Sequence, residues 1–420
     1  MKIWNYVLIV AFLLGVSLFG FVSWLRQDTV LSTQAREKIR SDLFYDTNLK
    51  QHPYFLFLGI NARDEIDSNQ LGRYRYHREW ANFLQDPMVE VSQIDEGLDA
   101  SLQREGFDHQ DRELLKEFQS VISNQKQLDL FLKQHSAQLH QLIQAEKIPL
   151  QRLQQLLLQK NYASLLMHPQ AIYPNYSYVL DLQRLALADR LLNQATLEGY
   201  QRQFQHVHLF TQNRLSVVEK MMMQNWMDQL IDILRMKQRV NAQPMMLESL
   251  TQNQLSLVSS LEHELAVQYA YLKQLPSSFP QGERASTWVF LPNRTFNKVA
   301  QNYQYYFDLS SLSYSELQKG FAQQGVIKPS QWAVKNYYGE KIAQIQPPSF
   351  EKYLVMTHIL NNKILSFNAV NAEQLNVAEL NRNKEGRYYY IQDAKLCIET
   401  PYPMDKISEL NLKTDSCVAI

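Results

Sequence analysis

Hydrophobic positions in this chain fall into two patterns: one continuous run at the start, then periodic spacing. Trp4 to Leu25 reads WNYVLIVAFLLGVSLFGFVSWL and carries no charge. Its length fits the ~20 residues that cross the ~30 Å hydrocarbon layer of a bilayer. Trp4, Tyr6 and Trp24 stand near its two ends, where interfacial aromatic belts form. The run is longer than the ~7–15 residues of a signal-peptide core, and no A-x-A-like site follows it. Residues 1–25 are therefore expected to be an uncleaved transmembrane anchor. Ala11 and Gly15 form a small-xxx-small pair inside it, a spacing that would let two anchors pack as a weak homodimer.

Beyond a polar juxtamembrane segment at 26–50, with a short helix expected over 35–45, the spacing becomes helical. Tyr76, Trp80, Phe83 and Leu84 recur at i, i+4, i+7 and i+8, which predicts a helix over 69–85 with one buried face. Leu114, Leu115, Phe118, Val121 and Ile122, then Leu128, Phe131, Leu132, Leu139, Leu142 and Ile143, extend the pattern over 111–160. Pro149 marks a break and the first turn of a further helix. More helices are expected over 178–240, 247–275, 295–307 and 350–365. His52-Pro-Tyr-Phe-Leu-Phe-Leu-Gly59-Ile60 is long enough for a strand or two helical turns, and periodicity does not separate these. Within 181–210, Leu182, Leu185, Ala186 and Leu192 face Phe204, Val207 and Phe210 across a turn expected at Gly199-Tyr200. That is the outline of a helical hairpin, open to a degenerate tetratricopeptide-like reading, although no regular repeat period follows.

Pro276-Ser-Ser-Phe-Pro-Gln-Gly282 is the clearest linker signal. It divides an expected helical domain, 51–275, from a C-terminal α+β region, 293–420, with 276–292 as linker. In the tail, Arg387-Tyr-Tyr-Tyr-Ile391 and Lys395-Leu-Cys-Ile-Glu399 are strand formers around Gln392-Asp-Ala394, which predicts a small β-hairpin. The expected fold is mainly α. Only 12 glycines in 420 residues agree with this, because β-rich folds and phosphate-cradling loops lean on glycine for positive φ.

Charge narrows the function classes. The chain has 42 basic and 42 acidic side chains, so no general field draws it to nucleic acid. Counting basic residues after the anchor (Arg26, Arg36, Lys38, Arg40) would keep the body in the cytoplasm. Asp28, Glu37 and Asp42 accompany these cations, and the short N-terminal tail suits a signal anchor. The two cysteines, Cys397 and Cys417, both lie in the tail. A bond between them would need an oxidising compartment. Together these favour a body outside the bacterial inner membrane, in the periplasm. Asn175-Tyr-Ser and Asn293-Arg-Thr fit the glycosylation pattern.

Two pairs of segments carry a resemblance. Tyr54-Phe-Leu-Phe-Leu-Gly-Ile60 with Leu71-Gly-Arg-Tyr74, and Asn336-Tyr-Tyr-Gly-Glu-Lys-Ile342 with Pro348-Ser-Phe-Glu-Lys-Tyr353, resemble a group of uncharacterised proteobacterial envelope proteins with an N-terminal anchor. The resemblance implies an envelope location and a helical domain; it implies no activity.

Candidate chemistry is sparse. Ten histidines are scattered, and His263-Glu264 lacks the second histidine of a zinc-protease helix, because position 267 is Val267. Gly320 and Gly325 have phosphate-loop spacing, but Val326-Ile327 stand where Lys and Ser/Thr are needed. No metal or cofactor is expected. Met221-Met-Met223 with Trp226 reads as core packing. Gly72-Arg-Tyr-Arg-Tyr-His-Arg-Glu79 is the densest polar patch. Helical spacing puts Arg73 beside Tyr76 and Trp80, with Arg75 and Arg78 projecting elsewhere. Arg73, Arg75, Arg78 and Glu79 are thus a candidate interaction cluster, or a structural arginine paired with Asp64, Glu65 or Asp67. The expected function is non-catalytic: an anchored envelope protein whose helical body binds other envelope proteins or supports an assembly. The alternative is an envelope hydrolase acting on peptidoglycan or another glycan.

Overall fold

Helices start where a side chain can meet the first free N–H groups, and this chain supplies such side chains repeatedly. Asp108, Asn124, Asn175, Thr196 and Thr251 each accept from a backbone N–H three residues on. The computed structural model describes residues 15–39, 49–85, 101–165, 175–241, 245–278, 290–322, 336–344, 350–371, 377–382, 387–399 and 417–419. Residues 15–26 are helical. The helices that follow are α1 (Thr33–Lys38), α2 (Pro53–Leu58), α3 (Ser68–Gln85), α4 (His109–Val121), α5 (Gln125–Ala145), α6 (Lys147–Leu157), α7 (Tyr176–Leu192) and α8 (Leu197–Phe210). Then come α9 (Val217–Asn241), α10 (Gln252–Leu255), α11 (Val258–Ser278), α12 (Pro292–Ser310), α13 (Tyr314–Ala322), α14 (Tyr337–Gln344), α15 (Glu351–Asn371) and α16 (Val377–Arg382). The mainly α expectation holds. Among the described residues no helix is long and apolar enough to cross a membrane, and residues 4–14 of the expected span, including Ala11, lie outside them.

The aromatic segment after His52 is a helix. Pro53 occupies its first turn, where the missing N–H costs nothing, and His52 Nδ1 accepts from Tyr54 N at 3.1 Å. Tyr54 to Leu58 are all buried. This short helix crosses α3 at backbone contact. A Cβ on Gly72 would lie 1.9 Å from the Phe55 carbonyl oxygen, and one on Gly59 1.9 Å from that of Ser68. Only glycine permits that approach.

The expected hairpin over 181–210 is corrected. Its turn is at 193–196, because Thr196 caps α8 and Gly199 already lies in the helix. The two helices also find separate partners: α7 packs on α4 and α5, while α8 packs mainly on α9. A helix buried on most of its faces, as α7 is, can be covered by neighbours distant in sequence. The expected short helix over 35–45 instead spans Thr33–Lys38 where described.

Two cores result. The larger gathers α2 to α9 around Trp226, Met227, Leu230 and Phe204, with Met222 and Met223 buried as the spacing suggested. The second joins α1, α11, α12 and the start of α15 around Leu261, Leu265, Phe296 and Phe307. Helix α15 belongs to both: Phe350 and Leu354 flank its first turns in the second core, while Ile364 and Phe367 enter the first. Helix α11 continues through Pro276 to Ser278, so the segment read as a linker connects two helices of one core.

The tail forms the hairpin expected of it. Strands β1 (Tyr389–Gln392) and β2 (Lys395–Ile398) pair antiparallel, with Gln392 opposite Lys395. Asp393 and Ala394 make the turn at φ 49° and 56°, the left-handed pair that suits the twist of a two-residue hairpin. A third strand, β3 (Val418–Ala419), adds beside β2, and Cys397 is bonded to Cys417, S–S 2.07 Å.

Candidate functional site

The Arg73–Glu79 cluster does not converge into one surface. Helix α3 buries Leu71, Gly72, Arg75, Tyr76, Glu79 and Trp80, whereas Arg73 and Tyr74 face outward. The inward arginine is therefore Arg75, not Arg73. Its Nη1 donates to the Leu58 carbonyl and to Asn61 Oδ1 at 3.0 Å. The reason is local: α2 ends in buried carbonyls that need a donor, and Arg75 sits one turn beyond Leu71 on the same face. Arg78 reaches the buried Glu79 at 3.6 Å and stacks over the Tyr74 ring. Asp64, one of the expected partners, pairs instead with Arg104.

Arg152 performs a similar task and was not apparent from spacing. Buried on α6, it donates to the carbonyls of Ile60, Ala62, Arg63 and Ile66, tying together the loop between α2 and α3. Beside it Arg104 meets Glu146 at 3.5 Å, and Tyr178 donates to Glu146 at 2.6 Å. Helix α9 starts with Ser216-Val-Val-Glu219, a capping-box spacing. Ser216 Oγ accepts from Glu219 N at 3.3 Å, and the Glu219 carboxyl accepts from Ser216 N at 3.4 Å and from the Ser164 hydroxyl. Burial pushes the Glu219 carboxyl up to about 7, against the hydrogen bonds from Ser164 and Ser216. Lys363, buried on α15, lies 2.8 Å from both Asp228 and Asp232 of α9; the two carboxylates outweigh burial and hold it charged. These groups hold the fold together, and the partners described for them come from within it. Both glycosylation-pattern asparagines serve the fold as well: Asn175 caps α7, and Asn293 Nδ2 donates to Thr29 O at 3.0 Å.

An open cleft of about 580 Å³ differs in character. It lies where the segment before α10, the start of α13, the middle of α15 and the approach to β1 meet. Arg387 and His358 line it with Ser249, Asn361, Ser313 and Ser315; among the described residues no carboxylate does. The Arg387 guanidinium rests 4.6 Å above the Tyr314 ring, and its Nε donates to Asn362 Oδ1 at 3.3 Å. Asn362 in turn donates to the Tyr314 hydroxyl at 2.9 Å. Burial, then the charges of Arg387 and Lys220, push His358 down to about 4. Lys220 itself is pushed down to about 7 by burial and donates to the Ser256 carbonyl. A second cleft, of about 490 Å³, lies between α5, α6 and α7 and is lined by Lys147, Arg190 and a single carboxylate, Asp189. Spacing gave no hint of either, because the residues lining each come from segments far apart in the chain.

Among the described residues no group of three or more His, Cys, Asp or Glu stands close enough to hold a metal ion. His263 is buried, its Nε2 3.2 Å from the Leu165 carbonyl oxygen. The structure thus defines a mainly helical protein with a small, disulfide-linked C-terminal sheet. In comparison with known proteins, no family model, no curated protein and no solved structure matches the chain.

Proposed function

We propose that this is a single-pass, membrane-anchored envelope protein whose helical body acts without catalysis, as a protein-interaction or assembly-support unit. The observation that carries the reading is how the N-terminal helix meets the body. Helix 15–26 exposes Val16, Leu18, Phe19, Phe21 and Trp24, with Phe19 77% exposed, a row that water does not favour and lipid would cover. Leu25 is buried, and the chain then enters the body at once. Asp28 accepts from Asn293 N at 2.9 Å and Arg294 N at 3.1 Å, capping α12 where Leu291 offers no side-chain cap. Asn297 grips Ser32 N and Val30 O, and Ala35 is buried in the second core. An apolar helix clamped this tightly would hold the body at a fixed attitude to a bilayer, which suits an assembly unit more than a tethered enzyme.

The resemblance to anchored proteobacterial envelope proteins supports the same location, and the Cys397–Cys417 bond favours a periplasmic body. A glycosidase-like hydrolase needs two carboxylates about 5–9.5 Å apart in a cleft. Of the two clefts described, one is lined by no carboxylate and the other by Asp189 alone. Alkaline phosphatase fused after Ile420 is expected to be active in a bacterial host, and cross-linking in membranes should recover defined protein partners. Activity only from a cytoplasmic reporter would reverse the orientation; a strictly monomeric species without partners would remove the scaffold reading.

A further inference from the structure

We propose that the cleft between α5, α6 and α7 is a binding site for a short peptide, whose free C-terminal carboxylate lies between Arg190 and Lys147. The site goes beyond the envelope reading and stands whether or not that reading holds.

Arg190 is the anchor of the site. It stands half-buried in the last turn of α7 and is held in place from α8. Its Nη1 donates to the Gly199 carbonyl at 3.3 Å and its Nη2 to Gln203 Oε1 at 2.6 Å. Both partners are neutral, so the guanidinium is oriented without an anion being spent on it. Burial pushes Arg190 down from its ordinary value; Tyr200 and Asp189 act the other way, and Arg202 adds to the fall. The network around it is short of acceptors. Gln203 is 1% exposed, and its Nε2 meets no hydrogen-bond partner among the described residues; the hydroxyl of the buried Tyr200 meets none either. A buried polar atom left in that state costs about 1–3 kcal/mol. Arg190 is the member of this network that also lines the cleft. A carboxylate is the acceptor that is missing there, and a fixed guanidinium fork suits that group.

The rest of the lining selects a peptide among carboxylates. Lys147, exposed at the start of α6, has no side-chain partner among the described residues and supplies a second cation. Gln144, Gln151, Gln154 and Asn193 offer amides, the chemical match of a peptide backbone. Asp189 accepts from Asn193 Nδ2 at 2.6 Å through one oxygen and keeps the other for a peptide N–H. A cleft of mixed charge rimmed with amides complements a molecule that has an acidic end and N–H donors better than it complements an inorganic anion. Ile143, Leu150 and Ala186 give an apolar side for a ligand side chain. Among the described residues no aromatic ring lines the cleft, so a nucleobase would find nothing to stack on. The volume, about 490 Å³, lies in the usual range for small-molecule sites.

Calorimetric titration of the full chain with the tripeptide Ala-Leu-Ala, with its C-terminal amide and with sodium acetate, all at matched ionic strength, tests the site. The tripeptide should bind saturably. Its amide should bind about tenfold or more weakly, the loss expected of a charge-assisted hydrogen bond. Arg190→Gln should weaken the tripeptide by a similar factor. Lys147→Gln alters an exposed side chain and should weaken it about two- to fivefold, the range of an exposed ion pair; it carries the test if Arg190→Gln does not fold. Acetate binding as tightly as the tripeptide would overturn the peptide assignment. The proposal also fails if the tripeptide does not bind, if its amide binds equally well, or if the folded variants bind as well as the parent.

Discussion

Buried ionisable groups carry much of the specificity of this interior, and Glu219 is the most informative. Its folded value, about 7, lies above the ordinary 4.5, so the fold prefers the protonated carboxyl. The contribution is complete below the unfolded value and is lost as pH rises through the folded one. Relative to Glu219→Gln, the parent protein should lose stability between pH 4.5 and 7 and run parallel outside that window. Urea denaturation at stepped pH measures the difference; two curves parallel throughout would show that the carboxyl does not titrate in the fold. His358 works in the opposite sense. With a folded value of about 4 against 6.5, its contribution is present above pH 6.5 and is lost as pH falls toward 4.

Among the elements, two contacts decide whether the helices meet as they do. The α2–α3 crossing depends on Gly59 and Gly72. Gly72→Ala places a methyl 1.9 Å from the Phe55 carbonyl oxygen, a backbone atom that cannot swing aside. A cost of about 3 kcal/mol is expected, at the upper end for overpacking, seen as a lowered denaturant midpoint with an unchanged slope. The second contact is the Asp28 cap. Asp28→Ala should cost about 1 kcal/mol, the usual worth of an N-cap, while loosening the 28–38 segment. Faster tryptic cleavage at Arg26, Arg36 and Lys38, with the body otherwise intact, would be the readout; unchanged cleavage would mean that Ala35 and Asn297 alone hold the segment. Helix existence was widely legible in apolar spacing. Pairing was not. The residues of α7 and α8 look like a hairpin because they are neighbours in the chain, yet α7 is buried on most sides and packs on α4 and α5.

For the whole molecule, the C-terminal sheet closes the structure. Leu396 and Ile398 pack with Ala369 and Tyr389 under α15, and Val418 reaches the main core. The bond from Cys397 to Cys417 joins residues 20 apart in sequence. Closing a loop of that order is worth about 3 kcal/mol in the chain-entropy account. Thiol labelling of denatured, unreduced protein should find no free cysteine, and reduction should increase proteolysis mainly beyond Arg387. Two labelled thiols in protein isolated without reductant would contradict the bond, and with it the best support for the proposed periplasmic body. Because Arg387 leads into β1, the same sheet also sets one wall of the cleft.

What the sequence determined by itself was whatever local chemistry controls. Periodic apolar residues and caps such as Asp108, Asn175 and Thr251 specify helices without reference to distant partners. Strand formers around Asp393-Ala394 specify the hairpin, and a pair of nearby cysteines specifies its bond. Only the tertiary structure could decide which arginine turns inward. Helical spacing favoured Arg73; the buried carbonyls at the end of α2 selected Arg75. The reach of Arg152 into the 60–66 loop, the Asp28 cap on α12 and the meeting of Arg387 with His358 have the same origin. Each joins groups from segments remote in the chain, and burial settles the pairing because a charge or amide removed from water must find its partner wherever packing has brought one.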